Sequence, residues 1–247
     1  MSVPLNRAAR YTRVVRALLV DLDDTLLDYT GDVELSWTQA CASCALDGTV
    51  SPDRLIAAIA ECRRWFWIDP ERSRRERLDM PGAWRKIVVH ALGVLGVDDA
   101  ALATGIAQDY ARRRRERMRL FPDALDALQR WRRAGIGLGL VTNGDAAQQR
   151  DKIERHDLAR FFDVIVIEGE FGAGKPEESV YRHALAALSA TPHESSMVGD
   201  NLEWDVIAPQ RLGLSGVWID RAGAGLPDDF TGKPHRIIRT LSELRVP

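Results

Sequence analysis

Cysteine is nearly absent from this chain, with 3 residues among 247, at positions 41, 44 and 62. An odd number cannot close a complete disulfide framework, and no signal-peptide-like apolar region precedes them. A reducing, cytoplasmic location is therefore expected, and a disulfide-stapled secreted scaffold is not. Cys41 and Cys44 form a C-x-x-C, but they fall in a helical pattern with no following Cys/His pair, which argues against a zinc site or a redox motif. An excess of either charge is missing as well: 34 Lys and Arg stand against 36 Asp and Glu, a net charge of -2. That balance argues against a nucleic-acid polymer held by bulk charge. The one dense basic run, ARRRRERMR from Ala111 to Arg119, reads as a solvated helix face. No apolar run is long enough to cross a bilayer, so no membrane partner is expected. Internal repeats and low-complexity linkers are also lacking.

What the chain does have is 45% hydrophobic residues, enough for a substantial core. Beyond Pro122, buried strand-like runs (GIGLGLVTNG, DVIVIEG, SSMVGD, SGVWID) alternate with amphipathic helical patterns (PDALDALQRWRRAG, DAAQQRDKIERHDLARFF, EESVYRHALAALS). Repeated βα units predict an α/β fold, a doubly wound parallel sheet with helices on both faces. RALLVD, Arg16 to Asp21, supplies the first strand. The gap from there to the next strand is far longer than one βαβ unit of roughly thirty residues. It holds four helical patterns and little strand signal. The expected organisation is an N-terminal tail over 1–13, a Rossmann-like core from 14–30 and 119–247, and an inserted all-helical cap domain over 31–118. The cap would sit above the carboxyl ends of the strands, where open α/β sheets bind ligands.

The strand ends carry the polar groups. Asp21 and Asp23 are spaced to share one face of an extended chain, and like charges that close need a cation or a proton between them. Thr142 ends the second strand and Asn143 follows it, where both could hydrogen-bond an anion's oxygens, and an Asn-Gly turn is the plainer alternative. Lys175 precedes Pro176 at a helix entrance, and a solvated lysine is the plainer alternative. Asp200 ends a further strand, where a helix N-cap would serve equally, and Asp205 follows five positions later.

In order, these stations are D-x-D-x-T from Asp21 to Thr25, a Thr after the second strand, a Lys, and G-D-x-x-x-x-D from Gly199 to Asp205. Together they resemble the phosphatase branch of the haloacid dehalogenase superfamily, with a helical cap of the C1 type (subfamily IA). The resemblance covers the whole chain, because that family carries its cap between the first and second stations. It implies Mg²⁺-dependent hydrolysis of a small phosphate monoester through an aspartyl-phosphate. Asp21 would be the nucleophile and Asp23 the general acid and base, with Thr142, Asn143 and Lys175 on the phosphate. The Asp21 carboxylate, the Asp23 main-chain carbonyl and Asp200 would hold the metal, with Asp205 acting through water. Asp24 and Thr25 read as structural ties of the turn. A hard divalent cation suits these oxygen ligands.

Other readings stay open. A haloacid dehalogenase has no task for a carboxylate at i+2, since halide leaves without a proton, so Asp23 favours an alkoxide leaving group. The only lysine of the inserted segment, Lys86, lies far beyond its first helix, against an imine-forming phosphonatase. A phosphosugar mutase shares the core residues. A catalytically silent binding module belongs to another class and is discriminated by assay. The expected partner is a small phosphorylated metabolite, a nucleotide or sugar phosphate, and the chain is expected to be a monomer or homodimer. Trp65, Phe66, Trp67 and Trp84, with Arg63, Arg64, Arg74 and Arg85, could contact that substrate or form the insertion's own core and solvated face. Selectivity is expected to respond to Trp65 and Arg85.

Overall fold

In the computed structural model of the chain, residues 15–44 and 50–245 are described; the expected tail over 1–13 lies outside them. The apolar run before Asp21 forms β1 (Ala17–Val20). After it the chain makes a two-residue strand, β2 (Leu27–Asp28), which pairs antiparallel with β3 (Arg119–Leu120). These two short strands are the way into and out of the long insertion, so the crossing chain forms a ribbon. The remaining strands are β4 (Gly137–Thr142), β5 (Val164–Ile167), β6 (Ser195–Gly199), β7 (Ser215–Ile219) and β8 (Arg236–Ile238). They join β1 in one parallel sheet of order β5-β4-β1-β6-β7-β8. The winding direction reverses at β1, which therefore marks the topological switch point.

Every strand residue of β1 is buried, and successive side chains feed opposite layers. Leu18 and Val20 join Leu138, Leu140, Val198 and Trp131 in one core. Leu19 joins Val141, Met197, Tyr181 and Leu185 in the other. This two-sided burial is why the strands read as continuous apolar runs.

Among the described residues the insertion contains five helices rather than the expected four: α1 (Val33–Cys44), α2 (Pro52–Ile68), α3 (Pro70–Glu76), α4 (Met80–Val94) and α5 (Ala100–Arg117). The extra one arises because Pro70 cannot continue α2, while the Asp69 side chain accepts from the Arg72 amide and starts α3 afresh. These helices bury a core of their own around Trp37, Ile59, Phe66, Trp84, Ile87 and Tyr110. The later helices are α6 (Ala124–Arg133), α7 (Ala146–Arg155), α8 (Glu168–Phe171), α9 (Glu178–Ala187) and α10 (Ala208–Arg211). The pattern read as one helix through Phe162 breaks after Arg155, where Asp157 takes a left-handed φ of 50°, and resumes as a 3₁₀ turn at Ala159–Phe161.

Candidate active site

The site begins where the sheet register ends. Val20 lies opposite Leu140 on one side and Val198 on the other, so the residues just past β1, β4 and β6 emerge side by side. Asp21 holds its place through its amide, which donates to the Val198 carbonyl at 3.0 Å. Asp24 adopts the left-handed region, φ 56°, and its carboxylate accepts from the amides of Tyr29 and Thr30 at 3.0 and 2.9 Å. That Asx-type closure turns the chain back toward β2. Thr25 is fully buried and its carbonyl accepts from Arg221 at 2.6 Å.

Lys175 is the electrostatic centre. Its side chain is 1% exposed, and Nζ donates to Asp21 Oδ1 and to Asp205 Oδ1, both at 2.7 Å. Burial works against its charge, but Asp205 and Asp21 outweigh that and hold the ammonium above the ordinary lysine range. Asp205 sits in a π-helical stretch, Leu202–Ile207, and its second oxygen accepts from the Asn201 amide at 3.0 Å. Gly199 makes this approach possible: a Cβ there would stand 2.2 Å from Asp205 Oδ2. The helix after β6 is capped by Asn201, whose side chain accepts from Trp204, and not by Asp200. Asp200 thus has no capping task, and no described residue donates a hydrogen bond to its carboxylate.

Carboxylate oxygens of Asp21, Asp200 and Asp205 lie within 4.8 Å of one another. Burial pushes the Asp21 carboxyl up to about 7, against the pull of Lys175 and reinforced by the charges of Asp205 and Asp23. Burial also pushes Asp200 up to about 8, with Asp21 and Asp205 adding to it. Three carboxylates facing one ammonium leave two negative charges unbalanced, the deficit a divalent cation cancels. The open oxygens of Asp200 and Asp21 fit such an ion.

Asp23 is placed differently from the sequence expectation. Its carboxylate is absent from that cluster and accepts instead from Lys152 Nζ at 2.7 and 2.9 Å and from Gln149 at 3.1 Å. The strand ends at Val20, so two-residue alternation does not carry through to Asp23. Gln149 also donates to Thr142 Oγ1 at 2.6 Å and accepts from Lys152 at 2.6 Å. Both Lys152 and Gln149 are buried, and sequence reasoning missed both. The available signal was their i, i+3 spacing on one face of α7, just after the Thr142 station. Asn143, expected to offer its amide to an anion, has both ends of that amide engaged by the main chain of Lys175, each at 2.7 Å. Gly144, at φ 119°, donates to Glu168 at 2.9 Å.

Together these groups line a cavity of about 240 Å³ whose opposite wall is Arg77, Met80, Trp84, Arg114 and Met118 from the insertion. Of the aromatic and arginine residues proposed from sequence, only Trp84 reaches it. Trp65 lies outside, stacked on His90, and Arg85 does not line the cavity. Arg77 binds Glu168 with two hydrogen bonds of 2.8 and 2.6 Å, bridging insertion and core.

A model of the haloacid dehalogenase-like hydrolases matches residues 15–213, which include all of these loops. The chain belongs to that family. This haloacid dehalogenase-like hydrolase is 33% identical to N-acylneuraminate-9-phosphatase of Mus musculus over 238 residues, 93% of this chain and 92% of that protein. Phosphoserine phosphatase of Thermus thermophilus is 39% identical over 143 residues, 58% of this chain and 56% of that one. A HAD-hydrolase of Bacillus subtilis solved with magnesium shares the fold of this hydrolase, with a TM-score of 0.69 at 21% identity, over 93% of this chain and 96% of its own. Among the described residues no helix is long and apolar enough to cross a membrane. The three cysteines are free, and burial pushes the Cys41 thiol up to about 12, which leaves it unreactive.

Proposed function

We propose that this protein is a phosphoric monoester hydrolase acting on a small phosphorylated metabolite with Mg²⁺, and that residues 31–118 form a cap domain over a core of 14–30 and 119–247. The observation that carries the reading is the meeting of Asp21, Asp200 and Asp205 with one buried lysine at the switch point of the sheet. The phosphatase names of the relatives point the same way.

Asp21 would attack phosphorus, forming an aspartyl-phosphate as the ester oxygen leaves; water then cleaves that acyl phosphate and regenerates the carboxylate. Lys175 keeps Asp21 in one rotamer, and with Thr142 and the loop main chain at Asn143 it would steady the transferring oxygens. Asp23, held by Lys152 and Gln149, would give its proton to the departing alkoxide and take one from the attacking water. Asp21, Asp200, the main-chain carbonyl of Asp23 and, through water, Asp205 would hold the Mg²⁺. Bound there, that ion supplies the positive charge that lets an anionic carboxylate approach an anionic phosphate. A cavity of about 240 Å³ with arginines in its roof suits a small ester rather than a polymer.

Hydrolysis of p-nitrophenyl phosphate should stop in excess chelator, return with Mg²⁺ and stay low with Ca²⁺, whose looser shell positions the phosphate poorly. Undiminished turnover in chelator would overturn the assignment.

A further inference from the structure

Helix α7 buries polar side chains where a layer helix ordinarily buries apolar ones. Beside Ile153 its buried residues are Gln149 and Lys152, 2% and 4% exposed. Apolar groups of similar volume are often as good or better for stability at such places, so a buried amide and ammonium on the cavity wall call for a task. Their hydrogen bonds show what it is. Lys152 Nζ donates to Asp23 Oδ1, Asp23 Oδ2 and Gln149 Oε1, at 2.9, 2.7 and 2.6 Å. The Gln149 amide gives one hydrogen to Asp23 Oδ2 at 3.1 Å and the other to Thr142 Oγ1 at 2.6 Å. The direction of that amide is not free. An ammonium only donates and a carboxylate paired with it accepts, so Oε1 must face Lys152 and Nε2 must face Asp23.

Thr142 therefore receives a hydrogen bond and keeps its own proton. A hydroxyl has one hydrogen and rotates to suit its neighbours, so an unheld one can turn that hydrogen to any acceptor within reach. Here the Gln149 donor occupies one side of Oγ1, which turns the O–H away from Gln149. Thr142 lines the cavity together with Asp21, Lys175 and Asp200, and the acceptor that suits its proton there is an oxygen of a bound phosphoryl group.

We infer that Gln149 is a positioning residue that aims the Thr142 hydroxyl proton at a phosphoryl oxygen, and that Lys152, by holding the Gln149 amide and the Asp23 carboxylate together, ties this donor to the group on the leaving-oxygen side. The inference rests on phosphomonoester hydrolysis at this site.

The test is a double-mutant cycle of Gln149→Met with Thr142→Val, each rate referred to folded protein. p-Nitrophenolate departs without a proton, so kcat/KM on p-nitrophenyl phosphate with Mg²⁺ reports transfer to Asp21 apart from the task of Asp23. Binding of inorganic phosphate with Mg²⁺, followed by calorimetry, gives a second readout that needs no turnover and has no leaving group. Gln149→Met should lower kcat/KM about tenfold, the size of a charge-assisted hydrogen bond that has lost its alignment, and should weaken phosphate binding several-fold. On top of Thr142→Val the same substitution should change either quantity by less than about twofold, because no hydroxyl is left to aim. Equal losses in the two backgrounds would show that Gln149 serves packing and would overturn the inference. Wild-type values in Gln149→Met, or in Thr142→Val, would overturn it as well. All of these outcomes leave hydrolysis by the wild type, and with it the phosphatase reading, standing. If Gln149→Met does not fold, Gln149→Leu takes its place in the cycle with the same outcomes. No hydrolysis of p-nitrophenyl phosphate by the wild type with Mg²⁺ would sink the phosphatase reading, and the inference with it.

Discussion

The two walls of the cavity are built by different means. On the core side, Asp21, Thr142 and Asp200 close three neighbouring strands whose register is set by main-chain hydrogen bonds. Lys175 further holds the Asp21 carboxylate, Gln149 the Thr142 hydroxyl, and Lys152 the neighbouring Asp23. On the other side, Arg77, Met80, Trp84, Arg114 and Met118 ride on or beside helices that pack on their own core. That body meets the sheet half through the β2–β3 ribbon and through ion pairs of Arg77 with Glu168, Arg74 with Glu177 and Arg115 with Asp151. The groups proposed to carry the chemistry thus sit on the hydrogen-bonded frame of the sheet, and those facing them across the cavity sit on the inserted helices.

Asp21→Asn tests the rigid wall most severely. It removes the atom proposed to attack phosphorus, so activity should fall by about 10⁴-fold or more on every ester, p-nitrophenyl phosphate included. Retained turnover on any of them would break the division of labour.

Asp23→Asn should be selective by leaving group. An alkyl phosphate needs a proton on its departing oxygen and should lose about 10²- to 10⁴-fold, whereas p-nitrophenolate departs unaided. Stopped-flow should then show one equivalent of p-nitrophenol followed by slow turnover, with an acid-stable, hydroxylamine-sensitive adduct on Asp21. Fast steady hydrolysis of alkyl phosphates would remove Asp23 from its role.

Glu168→Gln loosens the joint between the walls. It leaves the Arg77 guanidinium without its counter-charge at a place where Glu168 is 5% exposed. The expected cost is about 3 kcal/mol, seen as a melting temperature lower by roughly 6–12 °C. A larger loss of kcat/KM on alkyl esters than on p-nitrophenyl phosphate should accompany it. Equal losses would mean that the latch serves stability alone.

Trp65→Ala should do least. The ring is 49% exposed and touches His90 and Arg72 rather than the cavity. Changes within about twofold in kcat/KM are expected for every ester, and a shift in substrate ranking would restore Trp65 to the binding wall.

Much of the fold was legible because strands buried on both faces must be apolar throughout and helices packed on one face must repeat at 3.6. What escaped notice was short. β8 and the two-residue strands β2 and β3 carry too few residues for a periodicity and exist because a neighbour offers hydrogen bonds. In the site, Asp21, Thr142 and Asp200 stand at strand ends, Lys175 and Asp205 joined them through the resemblance of the ordered stations to the family, and one cavity holds all five. Lys152 could not be singled out, because a lysine inside a polar helix looks the same whether it meets water or Asp23.

Local order decides where the strands run and which loops leave their carboxyl ends, since hydrophobic period and turn chemistry are properties of consecutive residues. The sequence by itself therefore determined the parallel sheet, the large insertion and the row of acids with one lysine. Tertiary structure alone decided which charges are solvated and which are not. In the run from Arg112 to Arg115, Arg112 pairs with Asp109 and Glu116 at the surface, Arg113 with Asp109, and Arg115 reaches Asp151. Arg114 continues the buried stripe of Ala103, Ile106, Ala107 and Tyr110 and ends inside the cavity wall. The period of the helix hinted at that burial. Only the packing of α5, which sets Arg114 against Tyr29, could determine that the buried arginine would find no carboxylate of its own, because a counter-charge is a matter of what the rest of the chain brings within reach.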